Sequence, residues 1–307
     1  MLHQHINYAK IYADFLGSTL QIKHPIRVVF DCSDGTVGTV LKELVSNHPL
    51  LVSRVVIVKP NGRFPAHGPN PLVGRAFENL GREVLEWKAD IGVVFDGDGD
   101  RVFFVDDEGN RLSPDAAALL MSKNFRGSTI VDVRSGFMLR DGLRKDRKKI
   151  IDCRVGHFFI KKLMRKENVP FGAEISGHYY FKDFFYADSG LFAVICLINQ
   201  LSRLKANGER LSGWVKHLPT VWASGELNFE ISDKEGTMRT IEEAFKRRAR
   251  VTSKLDGVRM EFGIGKHEWW FSVRPSNTEN FLRLNLEARD EDIFKTHLKE
   301  LKSLIGE

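Results

Sequence analysis

The chain has 307 residues, 42% of them hydrophobic and 28% charged, with a net charge of +6, which is enough length and apolar content for two or three domains with buried cores. No apolar run reaches membrane-spanning length and the N-terminus lacks a basic region followed by an apolar stretch. Cys32, Cys153 and Cys196 are widely separated without metal-ligand spacing, so they read as reduced core residues of a cytoplasmic protein. The basic runs 144–149 and 246–250 close predicted helices, where cations complement the helix dipole, and no nucleic-acid module accompanies them. Nucleic-acid and membrane partners are therefore not expected, while the positive charge suits a small anionic ligand.

Along the chain, residues 6–16 read as an amphipathic helix, 26–30 as a strand, 35–38 as a turn and 39–47 as a helix stopped by Pro49. A strand at 55–58, a helix near 72–80 and strands at 91–95 and 102–105 complete a first α/β unit. Ser113-Pro114 begins a helix and a second unit. Strands at 129–132, 150–152 and 169–171 alternate there with helices near 135–145 and 157–167, implying parallel pairing. A long helix from about Ser189 to Lys205 sets Leu191, Val194, Ile195, Ile198 and Leu201 on one face as core. From about Pro219 the pattern changes to strands around 226–231, 258–262, 269–274 and 281–288, with helices near 236–250 and 291–304. No tandem repeat or low-complexity linker is visible. The expected fold class is α/β: two consecutive α/β units with mixed, mainly parallel sheets, followed by a smaller α+β C-terminal domain. The expected boundaries are an N-terminal helix at 1–24 and domains at 25–111, 112–218 and 219–307.

The densest chemistry lies at residues 95–101, Phe-Asp-Gly-Asp-Gly-Asp-Arg. Asp96, Asp98 and Asp100, at every second position, can converge on one hard divalent ion, and Arg101 can hold a phosphate or orient a carboxylate beside it. An EF-hand also opens Asp-x-Asp-x-Asp, but it needs Gly at its sixth position and Glu at its twelfth, where this chain has Arg101 and Asp107. A solvated Asp/Gly turn is the other alternative. The loop follows a predicted strand at its carboxyl end, where open parallel sheets place ligands. In Arg274-Pro-Ser-Asn-Thr-Glu279, the Arg274 fork, the Ser276 and Thr278 hydroxyls and the Asn277 amide could receive a phosphate, or the segment is a polar hairpin turn. In Gly172-Ala-Glu-Ile-Ser-Gly-His178, Glu174 can accept from two vicinal hydroxyls beside Ser176 and His178, or the loop is a strand-end cap and turn.

Together with Phe64-Pro-Ala-His-Gly-Pro-Asn-Pro71 upstream, these stretches stand in the order found in the phosphohexomutases, the phosphomannomutase and phosphoglucomutase family, which the chain resembles from about residue 9 to its C-terminus. Residues 179–190 are most similar to bacterial phosphomannomutases. The resemblance implies Mg²⁺ ligands at Asp96, Asp98 and Asp100 and an active-site arginine at Arg101. It implies sugar contacts from Glu174 and Ser176 and phosphate contacts from Arg274, Ser276, Asn277 and Thr278. His157 and His178 correspond to active-site histidines that contact substrate or assist proton transfer, and a structural role is their other reading. Arg134 falls where relatives often place a basic active-site residue, and its other reading is an exposed cation.

The activity implied is Mg²⁺-dependent interconversion of hexose 1-phosphate and hexose 6-phosphate, mannose or glucose phosphate, with a hexose 1,6-bisphosphate as intermediate or activator. Family members carry an N-terminal domain whose Ser-His-Asn-type loop is phosphorylated on serine and donates the phosphoryl group. This chain is expected to begin after that domain would end, and neither Ser46-Asn47-His48 nor Ser33 replaces the loop. Two expectations follow. Either the chain is the greater part of a mutase, weakly active or inactive alone, whose serine-bearing domain is a separate polypeptide as in a split enzyme or was lost by truncation or an altered start site, or it is a non-catalytic sugar-phosphate binding protein.

Overall fold

Short β-branched and aromatic runs bounded by turn residues form the strands, and longer amphipathic runs form the helices between them. The computed structural model describes residues 6–276 and 279–306. The first unit contains α1 (Tyr8–Ser18), β1 (Ile26–Asp31), α2 (Val37–Ser46), β2 (Leu51–Val56), α3 (Ala76–Trp87), β3 (Ile91–Phe95), β4 (Val102–Asp106) and β5 (Arg111–Leu112). Its sheet has the order β2-β1-β3-β4-β5, with β1 parallel to β2 and β3 and the last two pairings antiparallel. The second contains α4 (Pro114–Ser122), β6 (Thr129–Asp132), α5 (Phe137–Lys145), β7 (Ile150–Cys153), α6 (His157–Glu167), β8 (Phe171–Ala173), β9 (Tyr179–Phe181), β10 (Ala187–Asp188), α7 (Gly190–Ala206) and α8 (Leu211–Lys216). Its sheet runs β10-β9-β8-β6-β7, with β6 parallel to β7 and β8 and the pairs β8–β9 and β9–β10 antiparallel.

The third unit contains β11 (Trp222–Ala223), β12 (Leu227–Glu230), α9 (Lys234–Phe245), β13 (Val251–Ser253), β14 (Val258–Phe262), β15 (Trp269–Pro275), β16 (Phe281–Ala288) and α10 (Glu291–Ile305). Its sheet is antiparallel throughout, ordered β11-β16-β15-β14-β13 with β12 also on β16. The α/β class with a smaller α+β end is thus the observed architecture.

Several elements differ from the sequence expectation. The strand expected at 55–58 begins at Leu51, because Leu51 pairs with Ile26 and is the buried residue of β2. The helix expected near 72–80 starts only at Ala76, since residues 62–75 are turns that wrap the acidic loop. The strand expected at 169–171 lies at Phe171–Ala173, past Pro170, which has no N–H for a ladder. Helix α9 ends at Phe245 rather than 250, with a turn over 246–248. Helix α7 is buried on every side from Gly190 to Ser202 rather than on one face, because it packs against α1, α4 and β4.

Although the sequence shows no repeat, the first two sheets share one topology: β1-α2-β2-α3-β3-β4-β5 corresponds to β6-α5-β7-α6-β8-β9-β10. The acidic loop between β3 and β4 and the Glu174–His178 loop between β8 and β9 therefore occupy equivalent places. So do Asp31-Cys-Ser33 and Asp132-Val-Arg134, in each of which the aspartate Oδ1 accepts from the backbone N–H two residues on, at 2.8 and 2.6 Å. One apolar core spans both units, whereas the third has its own.

The third unit meets the second by satisfying backbone groups. The residue before helix α5 is Gly136, which has no side chain to cap it. Asp115 Oδ2 accepts from Gly136 N at 2.7 Å, and Glu287 Oε2, from β16, accepts from Phe137 N at 2.8 Å and Trp270 Nε1 at 3.1 Å. Arg259 Nη1 donates to the Val133 and Ser135 carbonyls at 2.6 and 3.2 Å, and its guanidinium lies 3.8 Å from the Trp270 ring centroid.

Burial, then the Glu287 and Asp132 carboxylates, push Asp115 up to about 7 from its ordinary 3.8, against the Gly136 N–H and Arg140. The Tyr179 phenol also faces Asp115. A carboxyl raised in the folded state favours folding at pH below its unfolded value and loses that contribution as pH rises through its folded value. Asp115→Asn keeps an acceptor for Gly136, so its effect on stability should be more favourable at pH 8 than at pH 5 by on the order of 2 kcal/mol. Urea denaturation at both pH values measures this, and parallel pH profiles for the two proteins would show that Asp115 is ionised in the native state throughout.

Candidate functional site

The acidic loop is held by close packing as much as by its own sequence. Gly99 has φ +79°, and a Cβ there would lie 2.2 Å from Val37 Cγ2. Gly97 N donates to Pro69 O at 3.0 Å and Gly97 O accepts from Thr36 N at 3.3 Å, so the 62–75 turns and the start of α2 brace the loop from both sides. His67 Nε2 lies 3.0 Å from Asp31 Oδ2, with both side chains 2% exposed, which pins those turns to the end of β1. Asp96 is 2% exposed. Its Oδ1 accepts from Gly99 N and Arg101 N at 3.0 and 3.1 Å, and its Oδ2 from Arg101 Nε at 2.6 Å. Burial pushes the Asp96 carboxyl up, opposed by Arg101, while the hydrogen bond from His178 leads in holding Asp100 below its usual value. One oxygen from each of Asp96, Asp98 and Asp100 lies within 4.8 Å of the others. An all-oxygen donor set at this separation fits a hard divalent cation, with room left for water and phosphate oxygens.

The Glu174–His178 loop joins the acidic loop through backbone pairing: Arg101 and His178 form an antiparallel bridge, and Val102 N donates to Gly177 O at 3.1 Å. Gly177, with φ +90°, is required here, since a Cβ would meet the Phe103 ring at 2.6 Å. His178 Nε2 lies 3.4 Å from Asp100 Oδ2, and its Nδ1 lies 3.1 Å from Ser176 Oγ and 3.5 Å from Glu174 Oε2. Burial works against protonation of His178, but the Asp100, Glu174 and Asp188 carboxylates outweigh it and raise its pKa. Glu174 is 4% exposed, its Oε1 accepting from Gly156 N at 2.8 Å and its Oε2 from Tyr180 Oη at 2.6 Å, which leaves each oxygen a second acceptor site.

Arg134 is 6% exposed, so it is not a surface cation. It grips Asp132 through Nε at 3.1 Å and Nη2 at 2.9 Å, approaches Glu174 Oε1 at 3.9 Å, and donates through Nη1 to Glu226 Oε2 at 3.2 Å. Glu226 Oε2 also accepts from Arg274 Nη2 at 2.7 Å. Arg274 and Ser276 are buried, Ser276 N donates to Phe281 O at 2.8 Å, and Ser276 Oγ accepts from Glu279 N at 3.2 Å. Asn277 and Thr278 lie outside the described residues. His157 is exposed at the first turn of α6, with its Nδ1 3.4 Å from Lys161 Nζ, and Lys161 in turn pairs with Asp188 at 2.7 Å.

Asp100, His178, Glu174, Arg134, Glu226 and Arg274 thus form an unbroken series of contacts across all three units, and only Glu226 among them was not anticipated from the sequence. Tyr180, Asp132, Asp188 and Lys161 were also missed as site residues. Asp132 alone carries a local signal, standing two residues before Arg134 at a strand end.

Three family models match in succession: phosphoglucomutase/phosphomannomutase alpha/beta/alpha domain II over residues 7–109, domain III over 113–221, and the C-terminal domain over 226–302. A phosphomannomutase of Methanocaldococcus jannaschii is 33% identical over an alignment of 287 residues that covers 91% of this chain and 61% of that protein. A phosphomannomutase of Escherichia coli is 31% identical over 319 residues, covering 99% of this chain and 68% of its own length. The crystal structure of a phosphoglucomutase/phosphomannomutase family protein from Burkholderia thailandensis shares the fold with a TM-score of 0.84 at 24% identity, over 98% of this chain and 65% of that one. The chain therefore spans about three fifths to two thirds of the length of these relatives.

Because Tyr180 Oη is the partner of a buried carboxylate oxygen, Tyr180→Phe should destabilise the fold by roughly 2 kcal/mol. Chemical denaturation measures the loss, and a change below about 0.5 kcal/mol would mean that Glu174 finds another donor without strain.

Proposed function

Because the chain belongs to the phosphoglucomutase/phosphomannomutase family, we propose that it provides the metal-, sugar- and phosphate-binding parts of a phosphohexomutase that interconverts hexose 1-phosphate and hexose 6-phosphate, with mannose or glucose as the hexose. The supporting observation is the contact series from Asp100 to Arg274, which ties three chemically distinct loops from three units into one site. On this reading residues 25–111 are the metal-binding domain, 112–218 the sugar-recognition domain and 219–307 the phosphate-binding domain.

Asp96, Asp98 and Asp100 would hold Mg²⁺, which when bound neutralises charge on a phosphoryl group in transfer. Arg101, anchored on Asp96 through Nε, would offer its terminal N–H groups to phosphate oxygens. Glu174 and Ser176 exchange hydrogen bonds with vicinal ring hydroxyls. His178, oriented by Ser176, Glu174 and Asp100, and His157 at the start of α6 take up or return the proton of the attacking hydroxyl. Arg134, Arg274 and Ser276, with Asn277 and Thr278, hold the phosphate that is not reacting. A hexose 1,6-bisphosphate has to turn round between half-reactions, so the site reads features common to both orientations: a phosphate and a pair of hydroxyls. No residue of the sequence is assigned as the phosphoryl-donating serine, which a serine-bearing domain of the kind the family carries would supply. The three buried, unpaired cysteines fit a reducing cytoplasmic compartment. Among the described residues no helix is long and apolar enough to cross a membrane.

Conversion of mannose 1-phosphate to mannose 6-phosphate, with Mg²⁺ and a hexose 1,6-bisphosphate and with or without the serine-bearing domain of a relative, tests the proposal. Turnover is expected when that domain is added. Phosphosugar binding with no turnover in either mixture would favour a non-catalytic binding protein, and no binding at all would overturn both readings.

Two substitutions separate the loops. Asp98→Asn should weaken Mg²⁺ binding by roughly tenfold or more in calorimetry, a loss of about 1.4 kcal/mol, and identical isotherms would leave the loop as a turn. Arg274→Ala should weaken mannose 6-phosphate binding by roughly 30-fold or more, the scale of a lost charged hydrogen bond, and unchanged affinity would reject the phosphate-loop assignment.

A further inference from the structure

Arg274 and Arg283 stand directly opposite each other on β15 and β16, a register in which like charges repel. Between them lies the Glu226 carboxylate, just before β12, accepting from Arg274 Nη2 at 2.7 Å on one oxygen and from Arg283 Nη1 at 3.4 Å on the other. Arg134 Nη1, from the second unit, shares the first oxygen at 3.2 Å. Glu279 takes Arg283 Nη2 at 2.6 Å. The Nε atoms of Arg274 and Arg283 are buried and have no partner among the described residues. Arg134 also has Asp132 and Arg283 also has Glu279, whereas Glu226 is the one carboxylate on Arg274 among the described residues; a phosphate in its place brings a third terminal oxygen and up to a second charge. Burial works against ionisation of Glu226, yet Arg134, Arg274 and Arg283 together hold its carboxyl below the usual range.

We propose that Glu226 is a built-in counter-ion that stands in for a phosphate: it neutralises the opposed arginines and ties the third unit to Arg134, and a phosphorylated sugar binds by exchanging its phosphate for the Glu226 carboxylate on Arg274. The inference rests on the phosphosugar reading above and deepens it. A free anion must displace Glu226 with the phosphate contacts alone. The cost of displacing Glu226 is common to both ligands, and a phosphosugar brings the Glu174 and Ser176 contacts to offset it, so Glu226 keeps inorganic phosphate alone from filling the site.

Calorimetric titration of inorganic phosphate and of mannose 6-phosphate into the wild-type chain, Glu226→Gln and Glu226→Asp tests this. Glu226→Gln, which removes the competing charge, should tighten inorganic phosphate binding roughly tenfold or more, with a comparable gain for mannose 6-phosphate and a lower melting temperature. Glu226→Asp, with a shorter reach to Arg274, should fall between the two. Unchanged or weaker phosphate binding by Glu226→Gln overturns the proposal and leaves Glu226 as a residue that orients Arg274. Should the Gln protein not fold, the Asp protein decides by the same criterion. Tighter phosphate binding by Glu226→Gln with no preference for mannose 6-phosphate over phosphate in any of the three proteins would instead uphold the counter-ion and sink the phosphosugar reading.

Discussion

The buried guanidinium of Arg134 is the constraint on which the rest of the site depends. A cation with only 5% of its side chain exposed is tolerated only where its donors are met and its charge compensated. Asp132, fully buried, meets Nε and Nη2, and its Oδ2 also accepts from Ile175 N at 3.1 Å. The bond that compensates Arg134 thereby fixes the backbone of the Glu174–His178 loop. On its other side Arg134 reaches Glu226, so the placement of the third unit is coupled to the Glu174–His178 loop through one side chain. The backbone around it is held independently, because Arg259 takes the Val133 and Ser135 carbonyls.

How much of this could be read from the residues depended on how local the signal was. The three aspartates, the Arg274 segment and the Glu174 loop each carry their chemistry within a few consecutive positions, and the structure brings Asp100, Glu174, His178, Arg134 and Arg274 into one contact series. Glu226 had no such signal: it is a single carboxylate after Gly225, and its partners lie 92, 48 and 57 positions away. Tyr180 looked like a strand aromatic because it is one; only the close approach of Glu174 gives its hydroxyl a role.

The duplicated topology was hidden for a related reason. Equivalent positions in the two sheets keep the backbone device and change the side chain: an aspartate at the end of β1 or β6 caps the turn that follows, and two residues on stands Ser33 in one unit and Arg134 in the other. In the first unit the small hydroxyl turns inward and donates to Phe95 O at 2.5 Å, bracing the strand that feeds the acidic loop. In the second, the long cation reaches across to another unit. Helix α7 misled for the opposite reason. Its apolar spacing suggested one buried face, but packing against α1, α4 and β4 also buries Asn199, Gln200 and Ser202. Asn199 takes up backbone groups of Thr19 and Gln21, and Gln200 donates to Asn124.

The overall positive charge, read from composition, suited a small anionic ligand drawn in by steering. The structure distributes it differently. Arginines at the centre of the molecule are each matched to carboxylates: Arg101 to Asp96, Arg134 to Asp132 and Glu226, Arg259 to Glu261, and Arg274 to Glu226. Replacing such buried pairs with apolar residues of similar volume often costs nothing in stability, so stability alone does not account for them. On the proposed function, Arg101, Arg134 and Arg274 are a set of oriented donors whose present acceptors are carboxylates, a chemical analogue of a phosphate. Preorganised N–H groups aimed at an anion need little rearrangement when one arrives, and that is the physical advantage of holding them in ion pairs rather than leaving them mobile at the surface.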